Sequence, residues 1–367
     1  MYYLYIVEAI LTCYTYIARQ PIAQEGEEMA ESKNDEISKD ITINDVARAL
    51  NLSKTTVSRA ISGKGRVSET TRNLVLSYAK EHNYMPNAIA RSLAHSKTFN
   101  IGVVIPSDAD AAETPFFQRV LMGICETAAS RDYDVLVAAS SEHDISNLKR
   151  MVINHKVDGV ILTRSLRHDA PVEFLKQMNV PFVVIGETVD KSAVQIDNDV
   201  TAACSEMTSI LLRMGIKSIA LIVGNLEYIV NRRRYDGFMR GFLECDRIAD
   251  QSLVFQNAGS MPMVDSAVSK ILKKNVDCII ASDDLICGRV LTKLREKNIS
   301  VPGEIKVASF YNSFMLENNN PPITSINIDV HALGGTAATT LMKLISGGNV
   351  QRKIIMNHEI LLKKSTV

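Results

Sequence analysis

Between residues 42 and 82 apolar side chains return every three or four positions in three short windows. They are Val46, Ala47 and Leu50, then Val57 and Ile61, then Leu74, Val75, Tyr78 and Ala79. That period marks one face of an α-helix. Each window also carries its own punctuation. Thr42 or Asn44 can cap the first helix, Asn51 tolerates the left-handed turn that ends it, and Ser53 caps the second. Gly63-Lys64-Gly65 supplies the next turn and Ser68 opens the third helix. From residue 99 the pattern changes to short unbroken apolar runs: NIGVVIP (100–106), DVLVAAS (134–140), GVILT (159–163), SIALIVG (218–224), CIIAS (278–282) and KVASF (306–310). Amphipathic helical windows separate them, at 116–131, near 146–155, up to Met214, at 234–244, at 264–273 and up to Lys297. Strands without polar alternation, interleaved with helices, predict parallel sheets covered on both faces. A second cycle starts near Asp197, so two lobes are expected, with a ligand cleft between their C-terminal strand ends. The expected fold is therefore a small all-α helix-turn-helix domain plus a two-lobed α/β domain of two doubly wound parallel sheets.

Charge sharpens the division. The chain has 367 residues with 41 Lys+Arg against 41 Asp+Glu, a neutrality that by itself speaks against a nucleic-acid partner. The neutrality is an average. Residues 39–98 hold ten basic side chains against four acidic ones, while residues 1–38 hold two against seven. A compact basic block attracts a phosphate backbone, because each neutralised phosphate releases counterions. Six cysteines, at 13, 125, 204, 245, 278 and 287, never form a Cys-x-x-Cys pair, and seven histidines show no metal-ligand spacing. Zinc-ribbon, thioredoxin-like and iron–sulfur chemistry are thereby excluded, and reduced, buried thiols are expected. No metal and no cofactor is expected.

The N-terminal run MYYLYIVEAILTCYTYI is apolar, but it is short for a spanning helix, contains Glu8, and has no basic residue ahead of it. No small-residue cleavage pattern follows, so no membrane partner is expected. Residues 1–38 are read as an extension, disordered or wrongly included, with translation expected to start at Met29. Gln24-Glu25-Gly26 can be encoded by CAG-GAG-GGN, which contains AGGAGG, a bacterial ribosome-binding sequence, a few codons before that methionine.

On the second helix, Val57 and Ile61 face the core and leave Lys54, Thr55, Ser58, Arg59 and Ser62 on the other side. Short polar and basic side chains on one helix face can enter a major groove and reach base edges. The order of motifs goes further. T-I-x-D-V-A at Thr42–Ala47, S-x-x-T-V-S-R at Ser53–Arg59, V-S-x-x-T-R at Val67–Arg72 and Y-x-P-N-x-x-A-R-S-L at Tyr84–Leu93 together resemble the DNA-binding domain of the LacI/GalR family of bacterial transcription regulators. One departure is Leu50-Asn51-Leu52 where that family commonly has A-G-V, and Asn supports the same turn. The resemblance implies a DNA-contact set of Thr42, Ser53, Lys54, Thr55, Ser58, Arg59 and Ser62, with Lys54 and Thr55 choosing the operator and Arg59 reading guanine. It also implies a hinge helix at 87–94 that forms on DNA, with Leu93 as a minor-groove wedge beside Asn87, Ala90 and Arg91. Eight residues are too few for a helix stable alone, which agrees.

The remainder resembles the effector domain of the same family, itself similar to periplasmic sugar-binding proteins. Pro115-Phe116-Phe117 resembles a pocket-lining P-F-F, Asp197-Asn198 the D-N at the first crossover, and Arg234-x-x-Gly237-Phe238 an R-x-x-G-F whose Arg grips a sugar hydroxyl or carboxylate. Ser282-Asp283 stands where N-D is frequent. Tyr311 stands where an Asp often clamps sugar hydroxyls, so the ligand is expected to differ while remaining a carbohydrate. The implied effector set is Phe116, Phe117, Asp197, Arg234, Ser282, Asp283 and Tyr311. Expected boundaries are 39–86 for DNA binding, 87–98 for hinge and linker, and 99–367 for the lobes. The first lobe takes about 99–196 and 327–350, the second about 197–326 and 351–367.

No G-x-G-x-x-G opens a helix after a strand, no G-x-x-x-x-G-K-[ST] occurs, and no Ser or Cys sits in a nucleophile elbow. No catalytic residue, and no enzyme, is expected. The reading is a cytoplasmic bacterial regulator, a repressor of carbohydrate-utilisation genes. It would bind a palindromic double-stranded operator as a homodimer under control of a mono- or oligosaccharide effector.

Overall fold

The computed structural model describes residues 41–63, 65–85, 92, 96–107 and 115–367. The extension, the proposed start at Met29 and the hinge positions Asn87, Ala90, Arg91 and Leu93 lie outside the described residues. The chain divides into two compact units, residues 1–87 and 88–367.

In the first unit three helices form as their caps require: α1 (Ile43–Ala49), α2 (Lys54–Ser62) and α3 (Glu69–Glu81). Thr42 and Asp45 make a reciprocal capping box on α1, with Thr42 N donating to Asp45 Oδ2 at 3.0 Å. Asn51 takes a left-handed φ of 52°, as its place in the turn predicts. Ser53 accepts from Thr56 N at 3.0 Å and Ser68 from Thr71 N at 3.2 Å, capping α2 and α3. Val46, Ala47, Val57, Ala60 and Val75 close a small core, with Ile61 and Tyr78 packed against it. Leu74, beside Val75 on α3, is half exposed on the outer face of that helix.

The second unit holds two six-stranded sheets. The first uses β1 (Asn100–Pro106), β2 (Asp134–Ser140), β3 (Gly159–Leu162), β4 (Phe182–Ile185), β5 (Val194–Asp197) and, from near the C-terminus, β11 (Lys353–Ile355), in the order β11-β5-β4-β3-β1-β2, all parallel. The second uses β6 (Ile219–Ile222), β7 (Val254–Phe255), β8 (Cys278–Ala281), β9 (Lys306–Ser309), β10 (Thr324–Ile328) and β12 (His358–Leu361), in the order β12-β10-β9-β8-β6-β7. Only β12, beside β10, runs antiparallel. Most of the core strands are fully buried, which is why they lack polar alternation.

Helices cover both faces of each sheet. In the first lobe α4 (Pro115–Ala129) and α12 (Val330–Ile345) share one apolar core, while α5 (Ser146–Ile153) and α6 (Ala170–Gln177) pack on the other face. In the second, α7 (Val200–Arg213) and α8 (Ile229–Leu243) cover one face; α9 (Met261–Ile271), α10 (Asp284–Glu296) and the short α11 (Phe314–Glu317) cover the other. The α4–α12 contact is close because Gly123 faces the His331 carbonyl and Gly334 the Val120 carbonyl, leaving no room for a Cβ at either. Helix α8 begins at Ile229, earlier than the expected 234, so the run Arg232–Arg234 sits inside its first turns.

The chain crosses between lobes three times: after β5 at Asp197, between β10 and α12, and between β11 and β12. Two expected boundaries need correction. Residues 353–355 belong to the first lobe, because β11 pairs with β5 (Lys353 opposite Gln195, Ile355 opposite Asp197). Residues 327 and 328 belong to the second lobe, because β10 continues to Ile328 opposite His358.

Candidate functional site

On the helical unit, Val57 and Ala60 turn α2 inward, and Lys54, Thr55, Ser58, Arg59 and Ser62 are all exposed on its remaining surface. Thr42 and Ser53 are also exposed, but their hydroxyls are engaged at helix ends. Thr42 Oγ1 donates to Asp45 Oδ2 at 2.6 Å, and Ser53 Oγ lies 2.8 Å from Thr56 Oγ1. The turn after α2 is held by Arg72, which donates to the Gly63 carbonyl at 3.3 Å. Gly63 and Gly65 both adopt positive φ there. A Cβ at Gly65 would stand 3.0 Å from Arg59 Cδ, so the turn leaves Arg59 its room.

On the two-lobed unit, a cavity of about 460 Å³ opens where the lobes meet, within the size range of small-molecule sites. The three crossings bring its walls together. Asp197 ends β5, its Oδ1 accepting from Asn198 N at 2.8 Å, and the chain then passes through a left-handed residue, Asp199, that caps α7. Burial, opposed by that hydrogen bond and reinforced by the Glu187 charge, pushes the Asp197 carboxyl from 3.8 up to about 6. Gly186, at a positive φ that favours glycine, turns the chain out of β4 so that Glu187 borders the cavity. Glu187 takes Arg233 of the second lobe at 2.7 Å.

Arg234 Nη1 donates to Asn231 Oδ1 at 3.1 Å and stands 3.7 Å from Asp283 Oδ2. Phe116 meets Phe117 edge-to-face at 5.2 Å and Tyr311 at 6.0 Å, an aromatic corner on the first-lobe side. Burial, with the Asp284 charge adding, raises the Tyr311 phenol to about 12 and keeps it protonated. At the mouth, Arg167 N donates to the Glu227 carbonyl at 3.2 Å and Ile229 N to the Ser165 carbonyl at 3.4 Å. Arg164 lies 4.7 Å over the Tyr228 ring, so the edge is pinned by backbone and by a cation–π contact.

Phe116, Phe117, Asp197, Arg234, Asp283 and Tyr311, six positions singled out from the sequence, therefore border one cavity. Ser282 does not. It is fully buried behind the wall, donating to Asp283 Oδ2 at 3.0 Å and accepting from Gly224 N at 3.4 Å. Several bordering polar residues had not been singled out: Arg164, Glu187, Tyr228, Asn231, Arg233 and Asp284. Asn231 and Arg233 carried a usable signal, since they neighbour Arg234 on one helix; Glu187 and Arg164 sit in loops whose approach only the topology fixes. Cys204, Cys278 and Cys287 are buried thiols whose pKa burial raises far above the usual range. Among the described residues no group of His, Cys, Asp and Glu could hold a metal ion, and no helix is long and apolar enough to cross a membrane.

Residues 98–364 match the family model described as periplasmic binding proteins and sugar binding domain of the LacI family. Residues 42–87 match that of bacterial regulatory proteins, lacI family. The HTH-type transcriptional regulator MalR of Staphylococcus xylosus is 29% identical over 316 residues, covering 84% of this chain and 93% of the relative. A transcription regulator-like protein from Staphylococcus haemolyticus superposes with a TM-score of 0.66 at 27% identity, over 73% of this chain and 98% of its own. The lac repressor dimer bound to operator and the anti-inducer ONPF reaches a TM-score of 0.73 over 90% and 100% of the two chains, at 22% identity, a likeness of fold.

Proposed function

The chain belongs to the LacI family of bacterial transcriptional regulators, and from that premise we propose that it is a repressor of carbohydrate-utilisation genes. It is not an enzyme; its matched relatives are regulators. In this reading it works in the bacterial cytoplasm, two copies binding a palindromic operator with one α2 per half-site. Lys54, Thr55, Ser58 and Arg59 reach base edges there, and Thr42, Ser53 and Ser62 stand at the flanks. Asn87, Ala90, Arg91 and Leu93 complete the contact through the minor groove.

The observation that carries the effector half is the composition of the cavity between the lobes. It sets an aromatic corner of Phe116, Phe117 and Tyr311 against hydrogen-bonding groups on Arg234, Asp283 and Asp197. Faces of sugar rings stack on aromatic rings and their hydroxyls need fixed polar partners, so a mono- or oligosaccharide suits both. Because the cavity walls come from both lobes, a ligand that binds one lobe angle better than another shifts the population. About 5.5 kcal/mol of difference converts 1:99 to 99:1.

A homodimer is supported by the outer surface of the second lobe. Met261 and Met263 at the start of α9, with Phe314 and Met315 on α11, are exposed on either side of α10, and Met315 borders Gly288. An exposed apolar patch of this kind marks a contact surface.

The test is selection of bound sequences from random duplex DNA at near-physiological salt, with and without a saccharide panel. Enrichment of an inverted repeat that one saccharide abolishes is the expected result. No enrichment under any condition, or a saccharide that strengthens binding, would overturn repression by release.

A further inference from the structure

We propose that Asp284, the first residue of α10, is the acidic group that reads the effector, and that with Arg234 it selects a neutral, hydroxyl-bearing ligand over an anionic one. The inference rests on the sugar cavity proposed above and assigns the residue that sets its charge preference.

Asp284 borders the cavity and is 1% exposed; burial raises its carboxyl, opposed by the neighbouring Ser313 hydroxyl, yet its Oδ1 has no partner in hydrogen-bond geometry and the Ser313 hydroxyl is likewise buried and unpaired. The helix does not need it. Asp283 already caps α10, its Oδ1 accepting from Ile286 N at 2.9 Å. Beside it, Arg234 spends Nη1 on Asn231 and faces Asp283, while its Nε, on the same wall, is also buried without a partner. A buried polar atom left unpaired is costly, so this wall presents one unmet acceptor and one unmet donor close enough for their charges to interact. An alcohol satisfies both at once, since its O–H donates to the carboxylate while its oxygen accepts from the guanidinium N–H.

The charges nearest Asp284 disfavour the anionic alternative. Four acidic side chains (Asp283, Asp284, Asp197 and Glu187) and four arginines border the cavity, and each arginine is engaged: Arg233 by Glu187, Arg234 by Asp283, Arg289 by the Gly259 carbonyl, and Arg164 over the Tyr228 ring. A phosphate or carboxylate entering beside Asp284 would meet the like charges of Asp283 and Asp284 unless it drew one of these arginines from its contact. Tyr311 cannot supply the acid. Its phenol stays protonated, and its ring is packed against Phe116. The Asp284 carboxylate therefore does from α10 what no acid on the β9 loop does in this chain.

The experiment uses the full-length protein and calorimetric titration with glucose, maltose and cellobiose, each paired with its uronic-acid or 6-phosphate counterpart. The wild type is expected to bind one neutral saccharide and to reject its anionic counterpart. Asp284→Asn should weaken the neutral ligand about ten-fold and Asp284→Ala about hundred-fold, the range for losing a hydrogen bond to a charged group. Both should also narrow the discrimination against the anionic counterpart, a change that a merely structural role would not produce. Thermal melting without ligand should be unchanged or raised, because an unpaired buried carboxylate is removed. Binding of a neutral saccharide that is weakened by Arg234→Ala but indifferent to both Asp284 variants would overturn the assignment of Asp284 alone. Preference of the wild type for an anionic sugar would overturn the selectivity. Binding of no panel member would overturn both this inference and the sugar cavity.

Discussion

Replacing Asp197 by Asn should make the protein more stable at neutral pH, and the gain should depend on pH in a way the structure dictates. The carboxyl is almost wholly buried, and burial raises it from 3.8 to about 6 against the opposing hydrogen bond from Asn198 N. A raised carboxyl binds its proton more tightly in the folded chain than in the unfolded one. Its ionisation therefore costs nothing below the unfolded pKa, and the penalty grows as pH rises between the two values and is complete above the folded one. A rise from 3.8 to about 6 corresponds to a full penalty of about 3 kcal/mol, of which roughly half is already present at about pH 5. Asparagine keeps an oxygen for Asn198 N but adds an amide N–H₂ that must find a partner, a cost of about 1 kcal/mol that does not vary with pH. The absolute gain is thus smaller than the penalty, but its change is not. Urea unfolding of wild type and Asp197→Asn, at one protein concentration, should show their stability difference growing by about 1.4 kcal/mol between about pH 5 and pH 7.5. Comparing the two proteins cancels the carboxylates they share, including Asp190, which Lys176 and Ser192 hold down at about 2. An equal difference at both pH values would refute the claim that the Asp197 carboxyl is protonated more readily in the fold than outside it.

Three further outcomes follow from the geometry. Arg59→Ala, which leaves the buried face of α2 untouched, should cost about 1–3 kcal/mol at one base pair of each half-site and relax selection there; quantitative binding to single-base variants of the selected operator measures it. Arg234→Ala should abolish the response to the effector while leaving operator affinity intact, read as a DNA-binding isotherm that the saccharide no longer shifts. Gly123→Ala should lower the melting temperature, because its Cβ would overlap the His331 carbonyl and force α4 away from α12; overpacking of this kind costs about 1–3 kcal/mol. An unchanged melting temperature would mean that the two helices can separate freely.

What the chain revealed in advance depended on how local the cause was. Thr42, Ser53 and Ser68 cap the helices they were expected to open because a cap needs only three following residues. The buried strands were legible because burial on both faces writes an unbroken apolar run. Strand β11 was assigned to the wrong lobe for the converse reason. Lys353–Ile355 is short and half exposed, and only its pairing with β5, more than 150 residues earlier, fixes its place. The same limit explains the cavity. Phe116, Asp197, Arg234 and Tyr311 stood in recognisable motifs, whereas Glu187 and Arg164 are placed by loops on one lobe that meet groups on the other. Ser282 was misjudged because its neighbour Asp283 faces the cavity while its own side chain, one residue earlier, turns back into the second lobe.

The positions of the acids around the cavity bear on how a ligand could move the lobes. Asp197 lies at the first crossing, and its carbonyl accepts from Met356 N at 2.7 Å, so it also fixes the third. Lys353, on β11 just before that third crossing, reaches Glu187 at 3.9 Å, and Glu187 in turn holds Arg233 of the opposite lobe. The charges that border the cavity are thus linked to the segments about which the lobes would turn. A ligand that displaced Arg233 from Glu187 would change contacts on both lobes at once. A ligand held by one lobe alone would change neither crossing. On the proposed function only the first kind can act as an effector, because a ligand shifts an equilibrium solely by the difference in its affinity for the two states. Binding without response is therefore the behaviour expected of any saccharide that reaches Phe116 and Phe117 on the first lobe but leaves the Glu187–Arg233 pair in place.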